Sequence, residues 1–438
     1  MQQGLNLQVA ERATLDLKLL VGEVTQSMTV EANAGVVELE SADRGLTVES
    51  RRVEATPLQG RNIFALAWTT PGVAVTGAVT RLRPFDIAGS SGISVNGSRP
   101  STNEVLIDGV SNLSRASSVA YVPPVDATDE FRVQTTNYDA QYGWTTGGVV
   151  NIITKGGGNE WRGSVFEFLQ NTKLNANTFN NNRNGVRRQS SHINTFGGSL
   201  GGAIKKNKLF FFGSYENIRQ VIPDPFVTSV PTTLQKTGNF SRTFYARDAT
   251  GNPLVQAIYD PFSTRAGDGG ALVRDIFPGN VIPASRLNPI ATRVLGLVPL
   301  GNNPGNALTE LNNLATSGSS RKFTDFFPEY TGRVDYTISQ NTRMFVRYSR
   351  NALAEARGFK YSTNDAINVA DTTGNSPFTR ENHSATIQLT HTLNPTTVLD
   401  FRLGLARFKS QSGFAAGADY DIAGLGFASQ YQSNSDPA

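Results

Sequence analysis

Arg333-Val334-Asp335-Tyr336-Thr337-Ile338-Ser339-Gln340-Asn341-Thr342-Arg343-Met344-Phe345-Val346-Arg347-Tyr348-Ser349 is a pair of alternating segments joined by a tight turn. In the first, Val334, Tyr336 and Ile338 share one face, with Arg333, Asp335 and Thr337 on the other. In the second, Met344, Val346 and Tyr348 oppose Arg343, Arg347 and Ser349, and Phe345 is out of step. A period of two marks an extended strand whose two faces meet different surroundings.

Five similar segments lie outward from this pair, near 161–170, 191–203, 208–219, 382–392 and 396–409. Ala385, Ile387 and Leu389 oppose Ser384, Thr386, Gln388 and Thr390; Leu399, Phe401, Leu403 and Leu405 oppose Asp400, Arg402 and Gly404. Their lengths are near the roughly 9–11 residues of a membrane-spanning strand. Alternation alone fits a soluble antiparallel sheet equally well. Connection lengths break the tie. A polar loop (about 171–190), the turn Lys205-Lys206-Asn207, a loop of about a hundred residues, the turn Gln340-Asn341, a loop of about thirty and the short Leu393-Asn394-Pro395 follow one another. Long and short strictly alternate, as in an outer-membrane barrel with short turns at one rim and long loops at the other. Seven strands would leave two open edges in a bilayer that offers no hydrogen-bond partners, so the sequence is expected to be truncated at both ends.

The composition agrees. Hydrophobic residues are 38% and charged residues 17% of 438, with 42 glycines, a mix suited to turns and strands with one polar face. The net charge of +4 is scattered, without the basic stripe a nucleic-acid partner requires. No run approaches the roughly 18 apolar residues of a transmembrane helix, so a membrane would be crossed by strands. No signal peptide is visible at the start. With no cysteine, disulfides and thiolate metal sites are excluded.

Before Trp161 the pattern is different. Leu5, Leu7 and Val9, then Leu15, Leu17 and Leu19, alternate like the last strands of a small β-sandwich. Val53 to Trp68 is spaced for short helices around the break Pro57-Leu58-Gln59-Gly60-Arg61. Ile93–Val95, Val105–Ile107, Phe131–Val133 and Val149–Ile153 are expected to be strands of one compact sheet buried on both sides.

Tyr142-Gly143, Gly147-Gly148-Val149-Val150-Asn151-Ile152-Ile153-Thr154-Lys155 and Asn159-Glu160-Trp161-Arg162-Gly163 occur in that order. Asn96-Gly97-Ser98-Arg99, Val105-Leu106-Ile107-Asp108-Gly109-Val110 and Asp129-Glu130-Phe131-Arg132-Val133 precede them. With these motifs the chain resembles the TonB-dependent receptors. Val230-Pro231-Thr232, Gly238-Asn239-Phe240-Ser241 and Phe277-Pro278-Gly279-Asn280-Val281-Ile282-Pro283 are similar to the Oar-like branch, which carries an N-terminal carboxypeptidase-regulatory-like domain. The resemblance implies a mainly β fold: a small α/β plug domain followed by a partial antiparallel transmembrane β-barrel, about seven strands of about 22. Expected boundaries are 1–32 for the sandwich remnant, 33–158 for the plug and 159–438 for the barrel portion, with a long extracellular loop at about 220–327. Two departures matter: Asn96-Gly97 stands where relatives often have Arg-Gly, and Thr136-Asn137-Tyr138 where many have Arg-Gly-Pro. The charge contacts that lock plug to barrel in relatives are therefore not carried over.

The implied function is energised uptake of a ligand across the outer membrane of a Gram-negative bacterium. Ser27, Met28, Thr29, Val30, Glu31 and Ala32 resemble the TonB box, an extended segment that the periplasmic protein TonB pairs with as an added strand. The same segment also fits a last strand of the preceding domain. Implied partners are TonB, outer-membrane lipid and a small-molecule, oligosaccharide or peptide ligand; no nucleic acid and no cofactor is implied. Ligand-facing plug loops are expected around Arg81, Arg83, Phe85 and Asp86, and around Asn112, Arg115 and Tyr121. Asn96, Gly97, Asp108, Gly109, Gly147, Gly148, Asn151 and Thr154 are expected to be architectural, the glycines serving where a side chain would clash with the barrel wall. A surface adhesion protein on the same scaffold, or a soluble β-rich carbohydrate-binding protein, are the alternatives. Gly197-Gly198-Ser199-Leu200-Gly201 fits the nucleophile-elbow pattern, but a strand end and turn follow it rather than a helix. No catalytic or metal site is expected, since the three histidines lack accompanying ligands.

Overall fold

The computed structural model describes residues 44–76, 84–85, 90–114, 117–143, 145–183, 188, 190–223, 226–316, 322–357, 378–412 and 423–432. The sandwich expectation and residues 27–32 lie outside them. In the first part the strands are β1 (Arg44–Glu49), β2 (Val73–Val75), β3 (Ile93–Val95), β4 (Glu104–Ile107), β5 (Val110–Ser111), β6 (Thr128–Thr136) and β7 (Val149–Thr154). Five form a sheet in the order β1-β6-β7-β4-β5, with β4 parallel to β7 and the other neighbours antiparallel. One expectation is corrected: β3 is not in this sheet but pairs with β2. Asn96 and Gly97 turn the chain immediately after it, both in the left-handed region at φ 51° and 80°.

β4 is buried at every position and β7 at all but one, as an apolar run covered on both faces requires. The cover comes from a helix at Ser50–Ala55 and a 3-10 turn at Ile63–Thr69, started by the Asn62 side chain accepting from the Phe64 amide. Between them Pro57 disfavours helix at Thr56, and Gly60 has φ 63°. Phe64 meets Phe131 edge-on at 5.9 Å, worth about 0.5–1.5 kcal/mol beyond the area buried.

After Trp161 come β8 (Arg162–Asn171), β9 (His192–Lys205) and β10 (Leu209–Pro223). Six short strands follow: β11 (Phe226–Thr228), β12 (Phe244–Arg247), β13 (Pro253–Val255), β14 (Arg265–Ala266), β15 (Leu272–Val273) and β16 (Leu314–Thr316). Then come β17 (Lys322–Ser339), β18 (Thr342–Arg357), β19 (Phe378–Asn394) and β20 (Thr397–Ser412). The seven expected segments make one antiparallel sheet, β20-β19-β18-β17-β10-β9-β8, called the wall below. Its connections alternate as expected: 172–191, 224–321 and 358–377 at one rim, 206–208, 340–341 and 395–396 at the other. The loop after β18 is shorter than expected because β18 and β19 extend the hairpin past Arg350 and Asn382 to Arg357 and Phe378.

Arg347, Ser349, Asn351 and Leu353 are buried toward the N-terminal unit, whereas Val346 and Tyr348 point outward and are exposed. Phe345 is therefore in phase after all: it faces inward and carries the Arg333 guanidinium 4.0 Å from its ring centroid. Along the outward face Val334, Val346, Ile387, Leu403 and Leu405 are exposed. Among the described residues nothing covers this apolar band, the face that a soluble sandwich would bury against a second sheet. No helix among the described residues is long and apolar enough to cross a membrane.

The loop at 224–321 is folded on itself. β11 pairs with β16 at its base, and β12–β13 and β14–β15 form hairpins within it. Asn280, at φ 58°, donates to the Phe240 and Gln256 carbonyls and accepts from the Ile258 amide. A helix runs over Pro289–Leu297, with the Asn288 side chain accepting from the Ile290 and Ala291 amides.

Candidate functional site: the seam between the two sheets

Asp108 and Gly109 form the two-residue turn between β4 and β5, both at positive φ (49° and 73°), which suits Asp-Gly in a tight hairpin. The turn directs the Asp108 carboxylate toward the wall. Its oxygens accept from the Thr154 amide at 3.0 Å and the Thr154 hydroxyl at 2.9 Å. Arg347 Nε lies 2.6 Å from Asp108 Oδ2, an ion pair off the line of a straight hydrogen bond. The other guanidinium nitrogens donate to Ser349, Ser384 and Thr386 hydroxyls on the wall. Arg347 is 0% exposed and Asp108 2%. Arg333 extends the contact by donating to the Thr154 carbonyl at 2.9 Å while paired with Asp335.

Toward the long-loop rim a second row crosses four strands. Glu216 pairs in register with Glu329, Glu329 with Asn351, and Asn351 with Asn382. Asn382 donates to Asn351 and to the Ala120 carbonyl of the N-terminal unit, both at 2.7 Å. Asn351 donates to Glu329. Arg61 donates to Glu216 at 3.1 Å, pairs with Asp126 and lies over the Phe166 ring at 4.2 Å. Glu216 Oε1 and Glu329 Oε2 have no partner among the described residues. Between the rows, the Tyr121 hydroxyl meets the Thr331 hydroxyl at 3.0 Å. Burial raises the Tyr121 phenol above its ordinary range.

The seam, rather than a solvated loop, holds three of the expected ligand-facing residues. Phe85 is buried against Phe327, ring centroids 5.2 Å apart, and its carbonyl accepts from Arg380. Asn112 is buried and holds the backbone of buried Tyr121 at both its amide and its carbonyl. Phe85 and Tyr121 touch wall residues directly, and Asn112 is tied to the wall through Tyr121. Arg81, Arg83, Asp86 and Arg115 lie outside the described residues.

Of the expected architectural set, Asp108, Gly109 and Thr154 meet at this turn, whereas Gly147 and Gly148 lie at the other end of β4, beside Asn103. Gly109 abuts the Arg402 guanidinium of β20, which matches the reason given for it. Gly148 differs: a Cβ there would lie 2.8 Å from Val95 and 2.9 Å from the Gln134 carbonyl, within its own unit rather than against the wall. Gly147 is likewise crowded by Asn103, and Gly97 by nothing within 4 Å. Asn151 is buried in β7 beside the seam.

Sequence reading missed Arg61, Glu216, Glu329, Arg347, Asn351 and Asn382. For the five on the wall the available signal was charge or amide in the polar phase of a strand; Arg61, on the turn Gln59–Arg61, carried no such pattern. A cleft of about 1000 Å³ separates the two sheets on the short-turn side, lined by Glu104, Asp108, Tyr142, Asn151, Arg333 and Arg402 among others. The elbow-like Ser199 faces inward and meets Ser164, itself bonded to Asp126.

The family described as "Outer membrane beta barrel domain" matches residues 153–437. A stretch of 134 residues is 31% identical to the TonB-dependent transporter Oar of Myxococcus xanthus, covering 28% of this chain and 12% of that protein. Among solved structures, the outer membrane transporter YddB from Escherichia coli aligns with TM-score 0.47 and 12% identity, over 83% of this chain and 39% of its own. The siderophore receptor PirA from Acinetobacter baumannii aligns with TM-score 0.40 and 13% identity, over 84% and 45%. The chain thus spans less than half the length of each of these proteins.

Proposed function

From the premise that this chain belongs to the outer membrane beta barrel domain family, we propose that it serves TonB-dependent active uptake of a ligand across the outer membrane. The N-terminal unit, residues 33–158, is the plug, and the seven-stranded sheet is part of the barrel wall that it gates. The observation that carries this reading is the polar seam. Two closely fitted sheets held by an apolar core would lose about 25 cal/mol for each Å² exposed on parting. Ion pairs and hydroxyl bonds instead regain hydrogen bonds from entering water. The rows at Asp108–Arg347 and Glu216–Asn382 are of that kind, and the half-satisfied Glu216 and Glu329 leave the closed state incompletely paired. The 31% identity to Oar supports the same reading.

In this reading TonB pairs with residues 27–32 and pulls, the seam parts, and ligand passes between plug and wall. Contacts to ligand would come from Arg81, Arg83, Asp86 and Arg115, with Phe85, Asn112 and Tyr121 anchoring those loops to the wall. The test is disulfide trapping in cells: Val30→Cys in the intact gene product, against a cysteine-substituted TonB periplasmic domain. A cross-link that depends on residues 27–32 supports uptake. Surface display with no cross-link, and no effect of deleting 27–32, would favour the adhesion reading. That second reading draws on the self-folded loop at 224–321, which presents a built surface to the outside.

A further inference from the structure

On the outward face, the side chains change character abruptly toward the long-loop rim. Reading up β20, Leu399, Phe401, Leu403 and Leu405 give way to Arg407 and Lys409, all on one face by the period of two. The register carries this change across the wall: Arg407 is opposite His383, which is opposite Arg350, which is opposite Tyr330. Lys409 is opposite Glu381. Tyr330 in turn packs on Tyr215 at 5.1 Å, and Tyr348 donates to or accepts from His383 at 2.7 Å. Tyr348 thus stands level with Leu405 on the last lipid-facing rung, and Tyr330 and Tyr215 stand one rung further out, level with Arg350, as aromatic side chains do at a membrane–water interface. At and just beyond that outer rung stands a cluster of Arg350, Arg407, Lys409 and His383 with, among the described residues, one carboxylate, Glu381.

Glu381 neutralises only part of the cluster. It accepts from Arg350 at 2.9 and 2.6 Å and lies 3.2 Å from His383, while Arg407 and Lys409 are exposed. On a wall that crosses the outer membrane, this height coincides with the headgroups of the outer leaflet. We propose that the cluster binds the phosphate groups of the anionic glycolipid of that leaflet. Tyr348 and Tyr330 would flank its sugar, and Leu403, Leu405, Ile387 and Val346 its acyl chains. The proposal rests on the barrel-wall reading but not on uptake: it concerns the outer surface, not the seam.

The experiment uses the intact gene product, extracted from outer membranes and placed in phosphatidylcholine nanodiscs. The probe is lipid A added in its phosphorylated and dephosphorylated forms, with bound lipid counted by native mass spectrometry. Each basic side chain near a membrane surface contributes severalfold, so Arg407→Gln with Lys409→Gln is expected to weaken retention of phosphorylated lipid A about tenfold or more. Lys206→Gln, which removes one charge at the opposite rim, is expected to leave it unchanged. Retention of the dephosphorylated form should be low in all three. Equal retention by wild type and the double variant overturns the proposal, as does equal retention of the two lipid forms. Competition by inorganic phosphate at the same concentration as the lipid would reassign the cluster to free anions. Heat-modifiable gel mobility verifies that each variant is folded; should the double variant fail that check, Lys409→Gln alone is held to a severalfold loss.

Discussion

Asp108 and Arg347, one on a tight turn of the N-terminal unit and the other mid-strand in the wall, meet at 2.6 Å with side chains 2% and 0% exposed. A buried pair of this kind adds little net stability as a pair, but breaking it is costly because one charge stays behind. Asp108→Asn, which tolerates the positive φ and keeps an acceptor for Thr154, and Arg347→Met are each expected to destabilise plug docking by about 3–5 kcal/mol. The double variant should lose much less than the sum. Urea midpoints for protease release of the plug in outer-membrane preparations give the coupling; strictly additive losses would show that the pair does not act as a unit.

Tyr121→Phe removes one hydroxyl from the Thr331 contact without opening a cavity. The expected loss is about 0.5–1.5 kcal/mol in the same assay. Because burial holds the phenol protonated, the wild-type Tyr121 should stay silent in a 295 nm titration through the ordinary range near ~10. A tyrosine signal lost near that pH in Tyr121→Phe would contradict its burial.

Gly109→Ala tests the turn rather than the ion pair. The displaced Arg402 side chain can move, so the cost arises from the backbone: at φ 73° a Cβ is unfavourable by about 1–2 kcal/mol. Plug release at correspondingly lower urea is expected, with the wall's heat-modifiable mobility unchanged.

Within the long loop, Arg286 donates through two nitrogens to Asp260, and the Phe262 amide donates to it as well. These bonds hold the Asp260 carboxyl below the ordinary range. A depressed carboxyl contributes order fully above its unfolded value of about 3.9 and loses it as pH falls through the folded value. In Arg286→Ala, carbon-13 titration of Asp260 should move up toward that unfolded value. No movement would mean that the bidentate contact is absent in solution.

Asn280→Ala removes two donors and an acceptor that tie three segments of the loop together. Faster proteolysis between 224 and 321 is expected, with the strands on either side still resistant. Protection equal to wild type would show that the hairpins hold the loop without it.

The wall was legible from sequence because each strand carries its own pattern. A period of two needs no partner to be seen, and alternating connection lengths supplied the rest. Even Phe345, which broke the apolar count, kept the phase once its ring was found beneath Arg333. The seam was not legible. Tyr121 and Thr331 are 210 residues apart, and Ala120 and Asn382 are 262 apart. Nothing local in a polar mid-strand residue says which loop will reach it. For the same reason Phe85 and Tyr121 suggested ligand-facing loops: an aromatic among Gly, Ser and Arg reads alike whether it meets a ligand or a wall. The glycines were half legible. A turn announces its need for positive φ, whereas close approach, as at Gly148, depends on neighbours the chain supplies far away.

Strict alternation in β18 also makes the wall a code read in pairs. One residue inserted between Met344 and Val346 would transpose every letter above it. Arg347 would then turn to the hydrocarbon side, where a cation costs about 2–4 kcal/mol at mid-depth, and Val346 would take its place opposite Asp108. The fault would corrupt both languages at once, the oily and the aqueous. Two-residue insertions would restore the reading frame, so length variation within the strands should come in even steps, while the long loops are free of that grammar.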